Sequence, residues 1–318
     1  MIFPYPNEPD PFTRVSALSI PILSSYLSSI GLSGTGSHKI LVDRLYQSLL
    51  ESYHMVSPNS IVAIDIGVKN FAYAEMTSNG ELLTVRKKDL GVDPSSRYDC
   101  VEWSQILHRF ILNEWGVVHK NSMSSLKNRF QHSGFLLEQQ IFRSYLKGVP
   151  DAILAGVAIE SLFAGILTTL TKTSSSPISS FPSSSSLFSS SSSSYYYYSH
   201  SLPTTTSFVK SISPAMVSRY FGITNMVITT LSSRQLHIKN TLAQKYDAAR
   251  WGVKKRASVS VVKDLIQKNR IRGNGIEFLM EGGGQLKKDD ICDAILMALA
   301  WWDWHHRKKK AAQSLFKI

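Results

Sequence analysis

Cysteine is almost absent from this chain. Two residues in 318, Cys100 and Cys292, stand in neither a CxxC pair nor a Cys/His spacing, which excludes a disulfide scaffold and a structural zinc site. No stretch is read as approaching the roughly 20 apolar residues of a membrane span. Acid is short relative to base, with 23 Asp and Glu against 35 Lys and Arg and a formal net charge of +12. The basic excess is clustered at 250–256, 263–272 and 307–310, a pattern that suits nucleic acid or another polyanion. The first thirteen residues carry Glu8 and Asp10 and no arginine, unlike an Arg-rich, acid-poor transit peptide. What the chain has in quantity is hydrophobic residues, 43% of the total, enough for one substantial α/β domain with a smaller companion.

The opening segment reads as a helical hairpin. Ser19 can cap a helix with Pro21 in its first turn and Leu23, Leu27 and Ile30 along one stripe, ended by Gly31. Ser37 can cap a second helix in which Leu41, Leu45 and Leu49 recur every four residues, leaving Lys39 and Arg44 for solvent or phosphate. From Ser60 the period becomes that of strands: 61–66, then 70–76 and 81–86 joined by the turn Asn79-Gly80. A helix at 101–115, a strand at 135–138 and a long helix from about 150 to 170 follow. Serine dominates 173–207, which reads as a disordered insertion. A strand at 208–212 resumes the fold. Two helices at 242–251 and 259–268 are expected around a basic turn, Lys254-Lys-Arg256, and a last helix at 289–304. This order suits a mixed α/β sheet, and residues 1–56 and 57–318 are expected to form the two domains.

The chemistry is in carboxylates. Asp65 ends the apolar run of the first strand and Glu138 ends another, while Asp290 and Asp293 lie three residues apart at the border of the apolar stripe Ile291, Ala294, Ile295, Ala298, Leu299 and Trp302. Asp289 is the alternative to Asp290. Taken alone, Asp289 and Asp290 can be helix N-terminal acids favoured by the macrodipole. Taken with Asp65 and Glu138 they can converge on a pair of magnesium ions, a hard cation suited to all-oxygen ligands, which activates water and neutralises a leaving oxygen. Gly67 is either an ordinary turn glycine or a point of close phosphate approach. Glu160, inside the long helix, is ranked behind Glu138 and expected to face solvent or a basic neighbour. These acids point to a nuclease with a ribonuclease H-like core. Tyr73, Phe130 and Phe142 could stack on bases, although packing is the commoner role of such aromatics.

Two resemblances add to this reading. The stretch Gly31-Leu-Ser-Gly-Thr-Gly-Ser-His-Lys-Ile-Leu-Val-Asp-Arg-Leu45 resembles the SAP-type DNA-binding motif, which implies backbone contacts at Lys39 and Arg44. Ile64-Asp-Ile-Gly-Val-Lys-Asn-Phe-Ala-Tyr73, Leu137-Glu-Gln-Gln140, Phe142-Arg-Ser144, Lys254-Lys-Arg256 with Val261-Val-Lys263, and Lys287-Lys-Asp-Asp-Ile-Cys-Asp-Ala294 resemble the fungal mitochondrial Holliday-junction resolvases, relatives of bacterial RuvC. That resemblance implies a mitochondrial homodimer that nicks four-way DNA junctions symmetrically. It also implies two magnesium ions, replaceable by manganese, on Asp65, Glu138, Asp290 and Asp293, and phosphate contacts at Lys254, Lys255, Arg256 and Lys263. The family's Glu-Arg-Gln is Glu138-Gln139-Gln140 here. The rival readings are a non-catalytic junction-binding protein, a ribonuclease H-type hybrid nuclease, and an actin-type nucleotide-binding fold, which needs a second Asp-Gly phosphate hairpin that the sequence lacks.

Overall fold

Successive residues of a strand point to opposite faces of its sheet, and the central strand β1 (Ser60–Asp65) is apolar on both. Ile61 and Ala63 join one core cluster while Val62 and Ile64 join another, so the strand must be covered on two sides. The computed structural model describes residues 9–67, 70–92, 99–116, 130, 132–140, 151–175, 207–234, 243–280 and 288–316. The serine-rich insertion except its borders, the glycine run 282–284, Phe142 and Lys287 lie outside them.

Strand β1 pairs antiparallel with β2 (Phe71–Thr77) and parallel with β4 (Ser133–Glu138). Strand β3 (Glu81–Lys88) follows β2 through a hairpin, and β5 (Phe208–Ile212) lies parallel beside β4. With the two-residue β6 (Arg272–Gly273), the order is β5-β4-β1-β2-β3-β6. At the hairpin Gly80 has φ +81°, and a Cβ there would stand 2.2 Å from the Arg270 carbonyl oxygen, so both turn and packing require glycine.

One face is covered by α4 (Cys100–Gly116) and α5 (Asp151–Ser175), whose Trp103, Leu107, Ile159 and Phe163 pack with Phe71 and Tyr73. On the other face lie α6 (Pro214–Tyr220), α7 (Ile223–Arg234), α8 (Ala243–Gln267), the short α9 (Ile276–Met280) and α10 (Lys288–Phe316). Trp302 of α10, 1% exposed, donates its indole N–H to the Met76 carbonyl at 3.1 Å.

Three expectations change. Helix α8 runs unbroken through Lys254-Lys-Arg256, because no proline interrupts it and Val253 and Ala257 are both buried in the core. Helix α10 continues twelve residues past Trp304. Beyond its basic stretch, Ala311, Ala312, Leu315 and Phe316 pack against α1 (Pro11–Ser16), α2 (Ile20–Ser29) and α3 (His38–His54). The N-terminal hairpin therefore shares a core with the last helix, and Gly31, at φ +74°, lies against the Trp304 ring. Asp10 caps helix α1 by accepting from Phe12 N at 2.9 Å and Thr13 N at 3.1 Å. Finally, residues Leu154–Lys172 of α5 are apolar and long enough for a membrane span, with mean hydropathy 1.6. Ala155, Ile159, Phe163 and Leu167 are nevertheless seated in the core, the behaviour of a core helix with an apolar outer face.

Candidate metal centre

Parallel pairing of β1 and β4 brings their C-terminal ends side by side, and each end carries an acid. Asp65 and Glu138 approach within hydrogen-bonding reach of one another. Burial is the largest cause raising the Asp65 carboxyl well above its ordinary value, and the Glu138, Asp293 and Asp290 charges add to it. Without a cation such a pair is relieved by holding a proton between its oxygens. Asp293, one turn into α10, faces the same cleft; Asp65, Glu138, Asp293 and Lys254 line it opposite Pro214 and Val217 of α6. Burial raises Asp293 too, opposed by the Lys254 ammonium and the Ser258 hydroxyl. That Ser258 oxygen is buried and makes no hydrogen bond of normal geometry.

The other two acids are held by lysines. Lys87 Nζ of β3 reaches Asp290 Oδ2 at 2.6 Å, with the two side chains only 11% and 15% exposed. Lys255 Nζ bonds Asp289 and lies 3.7 Å from Asp290 Oδ1. Burial would raise the Asp289 carboxyl, but the Lys255 hydrogen bond and charge bring it below the usual range. The Asp290 charge is among those acting on Asp65.

Among the described residues no three His, Cys, Asp or Glu side chains stand close enough to ligate one ion as placed. The donors are carboxylate oxygens, suited to a hard cation. Burial and the neighbouring Glu138 charge raise the Asp65 and Asp293 carboxyls, a strain that a bound cation would relieve. Donor type and charge thus suit magnesium at Asp65, Glu138 and Asp293, while Asp290 is held by Lys87.

Two further side chains brace this cleft. Gln140 Nε2 donates to the Ile66 carbonyl at 3.3 Å and points to Glu138 Oε2 at 3.5 Å. Glu160, expected to face solvent or a base, instead accepts from the Gln140 backbone N–H at 2.8 Å and from Ser211 Oγ at 2.9 Å. Lys87 and Ser258 carried no signal beyond their residue types, since only strand pairing and helix packing bring them to Asp290 and Asp293. Gly67 is used by the turn: an added Cβ would meet the Asn70 carbonyl oxygen at 3.0 Å.

The basic residues divide. Lys39 on α3 and Arg256 on α8 are exposed, and Lys263 is half-buried. Arg44 donates to the Ser33 and Thr35 carbonyls, stapling the loop between α2 and α3. Lys255 is engaged by the acids, and Lys268 pairs with Asp264 at 2.8 Å. Tyr73 and Phe130 are packed, Tyr73 against Trp115 and Phe130 stacked on Phe135.

Comparison with known proteins agrees with this architecture. A solved structure of the yeast mitochondrial Holliday junction resolvase Ydc2 superposes with a TM-score of 0.55 at 17% identity, covering 94% of this chain and 98% of that one. The mixed sheet flanked by helices is therefore the ribonuclease H-like fold of that protein. The mitochondrial cruciform cutting endonuclease 1 of Schizosaccharomyces pombe is 21% identical over 302 residues, 93% of this chain and 95% of that protein. Residues 61–311 match the model of the catalytic region described as mitochondrial resolvase Ydc2 / RNA splicing MRS1, and the chain belongs to that family.

Proposed function

We propose that this protein is a magnesium-dependent endonuclease that resolves four-way DNA junctions by paired symmetric nicks in mitochondria, acting as a homodimer. The observation that carries the reading is the meeting of Asp65, Glu138 and Asp293 in one cleft, each on a different element, with Asp290 adjacent. Such a cluster is costly without a cation. Bound magnesium would supply Lewis-acid activation of water and neutralisation of the leaving 3′ oxygen. The chain's own contribution is positional. Glu138 and Asp65 are fixed by rigid strand ends, Gln140 and Glu160 hold the end of β4, and Lys254 lies in the cleft where a scissile phosphate would need a counter-charge. The exposed Lys39 and Arg256, with Lys263, are proposed phosphate contacts, so binding should weaken steeply with salt.

Dimerisation is proposed because a junction has two symmetric scissile phosphates, and a two-fold assembly brings one site to each. The outer face of α5, with Leu154 47% exposed, is the proposed contact.

The family description also includes RNA splicing. The presence of acids at all the positions named favours the nuclease, because a nucleic-acid binder without chemistry has no use for clustered buried carboxylates. The test is cleavage of an end-labelled four-way junction, with a linear duplex, an RNA–DNA hybrid and a structured intron RNA as comparisons, in magnesium and in EDTA. Paired nicks on the junction in magnesium alone are expected. Binding of junction or intron RNA without any nick would refute catalysis, and preferential cutting of the hybrid would reassign the substrate.

A further inference from the structure

A second cavity lies at the opposite end of the molecule from the acids. Along α10, Lys308 stands fifteen residues beyond Asp293, about 22 Å at 1.5 Å per residue. Strand β5 runs in the same sense, since Ile212 is level with Glu138 at the acid end of β4 while Phe208 is level with Gly134, four residues or about 13 Å away. The cavity lies between α3, β5 and α10, opens to solvent on one side and has a volume of about 220 Å³. Met55, Phe208, Trp301 and Trp304 make its apolar wall, and Lys210 and Lys308 bring positive charge. Phe208, Trp301 and His305 form a continuous stack, with ring centroids 5.2 Å and 4.7 Å apart.

The charge in this cavity is not balanced. Lys210 faces Glu51 only across 3.9 Å, both side chains being largely exposed at the rim. Among the described residues Lys308 makes no hydrogen bond or ion pair. An ammonium group held partly out of water without a partner is costly, and a second one beside it adds repulsion. A dianion with a flat apolar body would answer both the two ammonium groups and the aromatic wall.

We propose that this cavity binds a nucleotide, with its phosphomonoester between Lys210 and Lys308 and its base against the aromatic wall. Two sources share that chemistry, a free mononucleotide and the 5′-phosphorylated end of a DNA strand. The site is independent of the carboxylate cleft and of the function proposed for it.

Protonation of Lys308 gives the site a pH signature. Burial, followed by the Lys210 charge, pushes Lys308 down to about 8, with Glu51 acting in the opposite direction. His305, the remaining titratable group lining the cavity, is already neutral at that pH, being pushed down to about 4 by burial and its lysine neighbours. Binding should therefore weaken as pH rises from 7 to 9, because Lys308 loses its proton while the phosphomonoester stays a dianion.

The experiment uses the full chain in EDTA, which keeps metal-bound phosphate out of the acid cleft. Tryptophan fluorescence and melting temperature are followed with AMP, adenosine, and a tetranucleotide with and without a 5′-phosphate. Saturable AMP binding is expected, at least tenfold weaker for Lys308→Met and for wild type at pH 9, with adenosine silent. Competition by the phosphorylated tetranucleotide alone identifies a strand end as the ligand, and its failure to compete identifies the free nucleotide. Lys308→Met without ligand should melt at or above the wild-type temperature, since it removes a poorly accommodated charge; a lower value would overturn the electrostatic argument. No saturable AMP signal, equal affinity in Lys308→Met, or equal binding of adenosine or of the unphosphorylated tetranucleotide would each overturn the proposal.

Discussion

Replacing Asp65 by Asn should make the metal-free protein more stable while abolishing cleavage. The substitution keeps the shape and a hydrogen-bonding group facing Glu138 but removes a buried charge that is repelled by Glu138, Asp293 and Asp290. Relief of such functional strain is worth about 0.5–2 kcal/mol, which for a chain of this size is a rise in Tm of roughly 2–6 °C. The pH dependence follows from the direction of the shift. A carboxyl raised in the fold contributes stability that is present below its unfolded value of 3.8 and is lost as pH climbs through the raised value. The Tm gain of Asp65→Asn in EDTA should therefore be larger at pH 8 than at pH 4. Magnesium should reverse the order, because an ion bound only by the folded wild type stabilises it by mass action. The assay is a set of melts at pH 4 and 8, in EDTA and in magnesium, beside junction cleavage. A lower Tm for Asp65→Asn in EDTA would show that Asp65 is a structural partner, and equal stabilisation of both proteins by magnesium would remove it from the ligand set.

Three further outcomes are expected. Trp302→Ala should cost about 3–5 kcal/mol in urea unfolding, since a fully buried indole and its bond to Met76 are both lost; a cost below about 1 kcal/mol would mean that the core closes over the gap. Glu160→Gln should lose about 1–2 kcal/mol and reduce junction nicking more than junction binding, because the Gln140 N–H and Ser211 hydroxyl lose a two-oxygen acceptor at the end of β4; unaltered nicking rates would confine Glu160 to surface packing. His305 is neutral in the fold, pushed down from 6.5 to about 4 by burial and then by Lys309, His306 and Lys308. It should contribute stability that is present above 6.5 and lost as pH falls toward 4, about 3 kcal/mol in all. His305→Gln should flatten that part of the Tm-against-pH curve, and an unchanged curve would mean that His305 titrates normally.

Much of the architecture is written in local pattern. Strand β1 could be read because a run of residues that is apolar on both faces has to be covered twice, and its last position, Asp65, follows from that run. Pro21 and Gly31 mark the ends of the first hairpin helix because their backbone preferences are local, although the Ser19 hydroxyl at its N-terminus makes no capping hydrogen bond. The strand at 208–212 was legible for the same reason, standing between serine and Ser213-Pro214. The break expected at Lys254-Lys-Arg256 was absent because charge does not end a helix when flanking residues are buried, as Val253 and Ala257 are.

Composition and spacing thus marked which acids could act together, since residue type and position along an element are local properties. Their actual partners depended on three-dimensional packing. Parallel pairing of β1 with β4 brought Glu138 to Asp65, the crossing of α8 over α10 placed Lys254 and Ser258 at Asp293, and β3 delivered Lys87 to Asp290. The extension of α10 to Phe316, which ties the hairpin to the sheet domain, also escaped local reading. Its last apolar residues are too sparse to predict a buried face, and they acquire one only when α1, α2 and α3 fold against them. Contacts between residues far apart in the chain are set by which surfaces exclude water together, and no local period encodes that.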